Sequence, residues 1–269
     1  YNIDYKRIGK RPSIAVWIRY KVAHKLAFSK LKKILGIENG IFFPVAGAAM
    51  SNKQATFFLS IGIPILYGYG LTETTATVCC YPFDNYTIGS IGTVLPDVQV
   101  RIGDDNEIQI KGKTVTQGYY QRPQETAEAF VDGWFRTGDM GKLEGETLYM
   151  TDRLKDLFKT SNGKYISPQA IEIALTADPY IEQVAVFGNN RNYVTAIISP
   201  SMPLLEKFAK DNNISYDRIE ETFDNPLVQK LFEEKIAAMQ ADFASFEKVK
   251  KFRLIRRSFS IESGELTST

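Results

Sequence analysis

The chain has 269 residues, 44% apolar and 24% charged, with a formal net charge of +2; it can hold two domains or one large one, and nucleic acid is not indicated as its main partner. Its two cysteines, Cys79 and Cys80, are adjacent, and His24 is the sole histidine. A disulfide framework, His-based metal sites and Ser-His-Asp or Cys-His catalysis are thereby excluded, and a reducing, cytoplasmic setting fits best.

In chain order, the opening YNIDYKRIGKRP lacks the apolar core of a signal peptide, and no later apolar run approaches the ~20 residues that cross a bilayer. Residues 13–35 carry apolar groups at helical spacing with basic residues between them, and Gly36 stops that helix. Its basic face reads as solvated surface. IFFPVAG (41–47) reads as a buried strand ending in a glycine turn. Ser51 and Gln54 have capping-box spacing, which starts a helix at 51, and IPIL (63–66) is a second strand. Strand, helix, strand predicts a βαβ unit and a parallel sheet. AGAAM and YGYGLTE then fall just past the carboxyl ends of neighbouring strands, where open α/β sheets bind ligands. YGYGLTETT (67–75) holds more polar groups than a turn or a helix cap requires.

From residue 88 the texture changes to frequent glycine and β-branched alternation, with a GDDNE hairpin signal, which predicts antiparallel strands in a small barrel or sheet. RPQETAEAF (122–130) is a short helix with Pro123 in its first turn, and GWFRTGDMGKLEGETLYM returns to short strands joined by glycine turns. Beyond TDRLKDLFKTSNGKYISP, Ser167 caps a helix opened by Pro168. Two alternating strands, IEQVAVFG and YVTAIIS, helices near 202–211 and 226–240, and a last strand, KKFRLIRR, complete an α+β module. The domain boundary is expected near 152–156.

YGYGLTETT, GWFRTGD, DRLKDLFKTSNGKYISP and the terminal SGELTST occur in the order found in AMP-forming acyl-CoA synthetases and ligases, the adenylate-forming superfamily. With GSIGTVLP and EIQIKGKTVTQGYY between them, the chain looks most like the long-chain fatty acid–CoA ligase branch, from about residue 40 to the end. The resemblance implies a mixed α/β and α+β fold. Residues 1–153 would be the remainder of a large AMP-binding domain, α/β to about 87 and β-barrel-like over 88–153. Residues 154–269 would be a small mobile α+β domain. It also implies a reaction: a fatty acid attacks ATP to give an acyl-adenylate and pyrophosphate, and the acyl group then passes to coenzyme A. Such chemistry needs charge neutralised and atoms aligned, not an acid-base histidine.

Residue roles follow from the same resemblance. Tyr69 matches the ring that stacks on adenine, with Gly68 and Gly70 giving room for close approach. Gly47, Ala48 and Ala49 match the small-residue segment along the adenine. Thr72 matches the α-phosphate contact and Glu73 the carboxylate that holds Mg²⁺. Asp139 matches the aspartate on the ribose hydroxyls, and Arg153 a second ribose contact. Arg136 stands where family members often have histidine. Lys155 matches the hinge between domains, and Gly163 the loop lining the pantetheine tunnel. Cys79 and Cys80 lack a partner base and are not expected as nucleophiles.

Two family pieces do not occur in these 269 residues: the glycine-rich phosphate loop and the lysine about two residues beyond GELTxT. The chain is therefore expected to be the carboxyl-terminal half of a longer enzyme, inactive alone, with an exposed apolar sheet edge prone to association. Its expected ligands are a fatty acid, ATP or AMP, Mg²⁺ and coenzyme A, with no nucleic acid. Peripheral membrane association suits an enzyme drawing on bilayer lipids, but nothing in the sequence requires it, and the oligomeric state is open. Two rival readings stay open: adenylation of an aryl, short-chain or amino acid, and a non-catalytic nucleotide-binding module.

Overall fold

A computed structural model describes residues 1–75 and 77–265; Ala76, in the ATVCC run, and Leu266–Thr269, which end the SGELTST motif, lie outside the described residues. The chain divides into two compact units, Tyr1–Leu154 and Lys155–Thr269.

In the first unit the Ser13 side chain accepts from Val16 N and opens α1 (Ile14–Ala23). A π-helical turn, His24–Phe28, carries the helix on into α2 (Ser29–Ile34), and Gly36 ends it at φ 69°. This helix meets the body through Tyr20, stacked on Tyr1 at 4.2 Å, and through Lys32, whose ammonium donates to the Gly62 carbonyl. The strand–helix–strand unit is present: β1 (Phe43–Val45) pairs in parallel with β2 (Ile65–Tyr69) across α3 (Asn52–Ser60). The expected capping box is also there, with Ser51 and Gln54 satisfying each other's backbone N–H.

Two expectations need correcting. The strand expected over 41–47 is only three residues long, and Ile41 beside it is 81% exposed; among the described residues β1 is the end strand of the sheet and pairs on one side only. The second strand does not stop at Leu66, since Tyr67, Gly68 and Tyr69 belong to β2. Gly68 is there for strand contact. A Cβ on it would lie 3.2 Å from the Cys79 carbonyl and 3.3 Å from the Cys80 Cβ of β3 (Cys79–Cys80).

Past β3 come β4 (Gly92–Val94), β5 (Val98–Ile102) and β6 (Glu107–Gly112). The β5–β6 hairpin turns through Asp105 and Asn106, both at positive φ, as its GDDNE sequence suggests. Then follow α4 (Pro123–Glu128), β7 (Phe130–Val131), β8 (Trp134–Glu144) and β9 (Thr147–Arg153). Far from short, β8 runs eleven residues. Among the described residues one sheet runs β1-β2-β3-β4-β9-β8-β6-β5, with β7 on β8, so the α/β and β-rich parts share a continuous ladder. Ile108, Ile110, Leu148 and Tyr81 are fully buried in its core.

The second unit opens with the hairpin β10 (Phe158–Lys159) and β11 (Tyr165–Ile166). Ser167 accepts from Ala170 N and Pro168 starts α5 (Pro168–Leu175). A three-stranded sheet, β12 (Ile181–Phe187), β13 (Val194–Pro200) and β14 (Val249–Leu254), packs with α6 (Met202–Asp211) and α7 (Pro226–Met239). Its core, including Ile171, Ile198, Leu205 and Phe232, shares no residue with that of the first unit. No helix among the described residues is long and apolar enough to cross a membrane.

Candidate active site

Asp139 and Arg153 face each other in register across β8 and β9. Asp139 is 3% exposed, and its carboxylate is held from two sides. The Tyr69 hydroxyl, at the end of β2, donates to Oδ2 at 2.6 Å, and Arg153 Nε lies 3.2 Å from Oδ1. The 2.6 Å contact is in the range of strong O–H···O⁻ bonds. Burial, and then the charge of Asp139, push the Tyr69 phenol far above its usual range, so tyrosine is the donor. Three residues of one tyrosine–aspartate–arginine set thus come together from positions 70 and 14 apart in sequence.

Behind Asp139 lies a support that the sequence reading missed. Thr137 Oγ1 accepts from the Asp139 N–H at 3.0 Å and donates to the Ile108 carbonyl at 2.7 Å. Gly138, at φ 72°, turns its N–H onto Glu107 Oε1 at 3.1 Å, while Arg136 Nε donates to Glu107 Oε2 at 2.9 Å. Glu107 is 4% exposed. A buried carboxylate needs paired donors, and here it fixes the backbone of the TGD turn. The clue was a glutamate at the start of EIQI, in line with Gln109 and Lys111 at alternate positions.

The polar excess of YGYGLTETT divides into two jobs. Thr74 is buried, and its hydroxyl accepts from Leu71 N and donates to Leu71 O, closing the short 3₁₀ turn Thr72–Thr74. Thr75 takes φ 52° and donates to the Thr114 carbonyl at 2.7 Å. These two hydroxyls are structural. Thr72 is exposed, and Glu73 is half-buried with Oε1 accepting from the Tyr119 hydroxyl at 2.9 Å. Thr116 N donates to the Glu73 carbonyl at 2.7 Å, so the 114–119 segment braces the turn from outside.

Gly47, at φ 84°, and Ala48 and Ala49 form an exposed loop after β1. It is tied down by Tyr67, whose hydroxyl donates to the Ala48 carbonyl and accepts from Met50 N at 3.2 Å. Gly70 follows β2 and is exposed. Lys155 and Gly163 belong to the second unit: Lys155 is its exposed first residue, and Gly163, at φ 76°, sits in the β10–β11 turn. Cys79 is core, with its thiol donating to the Ile91 carbonyl and pushed up to about 12, chiefly by burial. It is no nucleophile.

Among the described residues no group of three or more His, Cys, Asp or Glu could cage a metal ion. Mg²⁺ commonly takes one or two protein carboxylates and fills its shell with phosphate oxygens and water. Glu73, oriented by Tyr119, is a single carboxylate of the kind such an ion could take.

The fold and this site define an adenylate-forming domain pair, and the chain belongs to the AMP-binding enzyme family: residues 11–120 match its AMP-binding enzyme model and 155–262 its C-terminal domain model. The resemblance read from the motifs is borne out. The long-chain-fatty-acid–CoA ligase FadD15 of Mycobacterium bovis is 32% identical over 263 residues, 96% of this chain and 43% of that protein. Human long-chain-fatty-acid–CoA ligase 1 is 34% identical over 264 residues, 91% of this chain and 37% of that protein. The chain thus spans less than half the length of these relatives. Among solved structures, the adenylation domain of a carboxylate reductase from Mycobacterium chelonae superposes with a TM-score of 0.70 at 23% identity, over 93% of this chain and 41% of that one.

Proposed function

We propose that this chain is the nucleoside-holding part of an ATP-dependent long-chain fatty acid–CoA ligase. The observation that carries the reading is the buried Asp139, held between the Tyr69 hydroxyl and the Arg153 guanidinium. A preorganised carboxylate can accept from both hydroxyls of a ribose at once, which a neutral side chain does less well. Tyr69 offers its ring to the base, and the Gly47–Ala49 loop, pinned by Tyr67, offers a flat small-residue edge beside it. Thr72 presents a hydroxyl to the α-phosphate. Glu73, oriented by Tyr119, would hold Mg²⁺, whose charge offsets that of the polyphosphate. Lys155 is the hinge and Gly163 lines the path of the pantetheine arm. The names of relatives at 32% and 34% identity support a long-chain fatty acid as the carboxylate. Without a glycine-rich phosphate loop in its sequence, the chain alone does not turn over.

Titration calorimetry with AMP tests the site: the chain binds, and Asp139→Ala weakens binding at least tenfold, the worth of one lost charged hydrogen bond. No binding, or equal binding by the variant, overturns the nucleoside assignment. Pyrophosphate release from ATP, Mg²⁺ and palmitate stays at background for these 269 residues, and sustained turnover would refute that part.

A further inference from the structure

The long helix of the first unit turns apolar side chains outward. An amphipathic helix on a globular body is expected to bury one face, yet no residue of α1, the π turn or α2 is fully buried. Tyr20 and Lys32 tie one side to the body. On the outward side Ile14 is 78% exposed and Leu26 63%, with Trp17, Ile18 and Val22 about half exposed. Ile14, Ile18, Val22 and Leu26 follow at four-residue steps, each of which drifts about 40° in a regular α-helix. The wider turn His24–Phe28 takes up part of that drift.

Cations frame this row. From Tyr5 to Ile37 the chain has ten lysines and arginines and no aspartate or glutamate, although its overall net charge is only +2. None of the ten is in an ion pair among the described residues. Arg11, Arg19, Lys21, Lys25, Lys30 and Lys33 are exposed, and the Lys21 ammonium lies 5.5 Å from the centre of the Trp17 ring. A protein groove would need carboxylates placed to meet these cations one by one. An anionic lipid surface meets them anywhere: headgroups supply negative charge across a plane, the acyl boundary takes the apolar row, and long basic side chains reach back to the headgroups. Tryptophan suits that boundary, with an apolar ring and a polar N–H.

We infer that the helix from Ile14 to Ile34 lies flat on an anionic lipid surface. Ile14, Trp17, Ile18, Val22 and Leu26 enter the boundary between headgroups and acyl chains, and Lys21 and Lys25 beside them meet the lipid phosphates. The inference goes beyond the ligase reading and does not depend on the site at Asp139.

The chain is floated with vesicles of phosphatidylcholine alone and of phosphatidylcholine mixed equally with phosphatidylglycerol. The expected result is binding at least tenfold tighter to the anionic vesicles, weakening as salt is raised, with a blue shift of tryptophan emission that Trp17→Phe abolishes. Two exposed-site double variants, each checked for folding by circular dichroism, divide the contributions. Lys21→Gln with Lys25→Gln should weaken binding about thirtyfold, roughly fivefold for each cation at the surface, and Ile14→Ser with Ile18→Ser at least tenfold. Absence of vesicle binding, equal binding to neutral vesicles, or equal binding by either double variant overturns the inference. So does a stable dimer that Ile14→Ser with Ile18→Ser splits while the parent ignores vesicles, which would give the face to a second copy of the chain.

Discussion

Replacing Glu107 by alanine removes the carboxylate under the TGD turn without touching any group assigned to the nucleotide. The Gly138 N–H would lose its acceptor in a part-buried position, which costs about 1–3 kcal/mol. The Arg136 contact adds less, because that side chain is half exposed and water takes over much of its solvation: about 0–1 kcal/mol. A total of about 1–4 kcal/mol in a unit of this size lowers its melting temperature by roughly 2–16 °C at ~2–4 °C per kcal/mol. Glu107→Gln keeps an oxygen for Gly138 and should recover most of that loss. Calorimetric melting of the chain and both variants, paired with AMP titration, separates support from binding. AMP affinity should fall with Glu107→Ala although the residue touches no ligand, since Asp139 loses the fixed turn that aims it. If Glu107→Ala melts within a degree of the parent and binds AMP as well, the idea that this carboxylate holds the turn is wrong.

Tyr69 gives a pH signature. Its folded pKa is raised, so the protonated phenol is favoured by folding; this stability is intact below about pH 10 and drains away as pH climbs beyond it, by about 1.4 kcal/mol per unit. In urea melts at pH 9 and 11 the parent should therefore lose more stability than Tyr69→Phe, and an equal loss would refute the assignment. Tyr119→Phe removes a contact between part-exposed groups and should cost under about 1 kcal/mol in stability. Its effect should fall on ATP affinity with Mg²⁺ present, and an equal effect in EDTA would argue against a metal role for Glu73.

Local chemistry was what the sequence displayed well. Ser51 with Gln54, Ser167 before Pro168, and the GDDNE turn each solve a problem within four or five residues, so each can be read without knowing the fold. Strand ends were harder. Tyr67-Gly68-Tyr69 looked like a turn because glycine usually marks one, but Gly68 answers to the backbone of β3, eleven residues on. The residues that steady the site were hidden for the same reason. Glu107 and Tyr119 act on Gly138 and Glu73 through register across strands and a returning loop, which no spacing along the chain encodes. The π-helical turn at His24–Phe28 also left no mark in an otherwise regular helical pattern.

Arg153 is the last residue of β9, and the N–H of Leu154 is held by the Gly138 carbonyl at 2.8 Å. The sheet therefore keeps hold of the chain up to the residue before the second unit begins. The same short stretch that aims Asp139 is the anchorage of the connector. If Asp139 takes a ribose as proposed, the ligand and the end of the first unit are held by adjacent residues, Asp139 and Gly138.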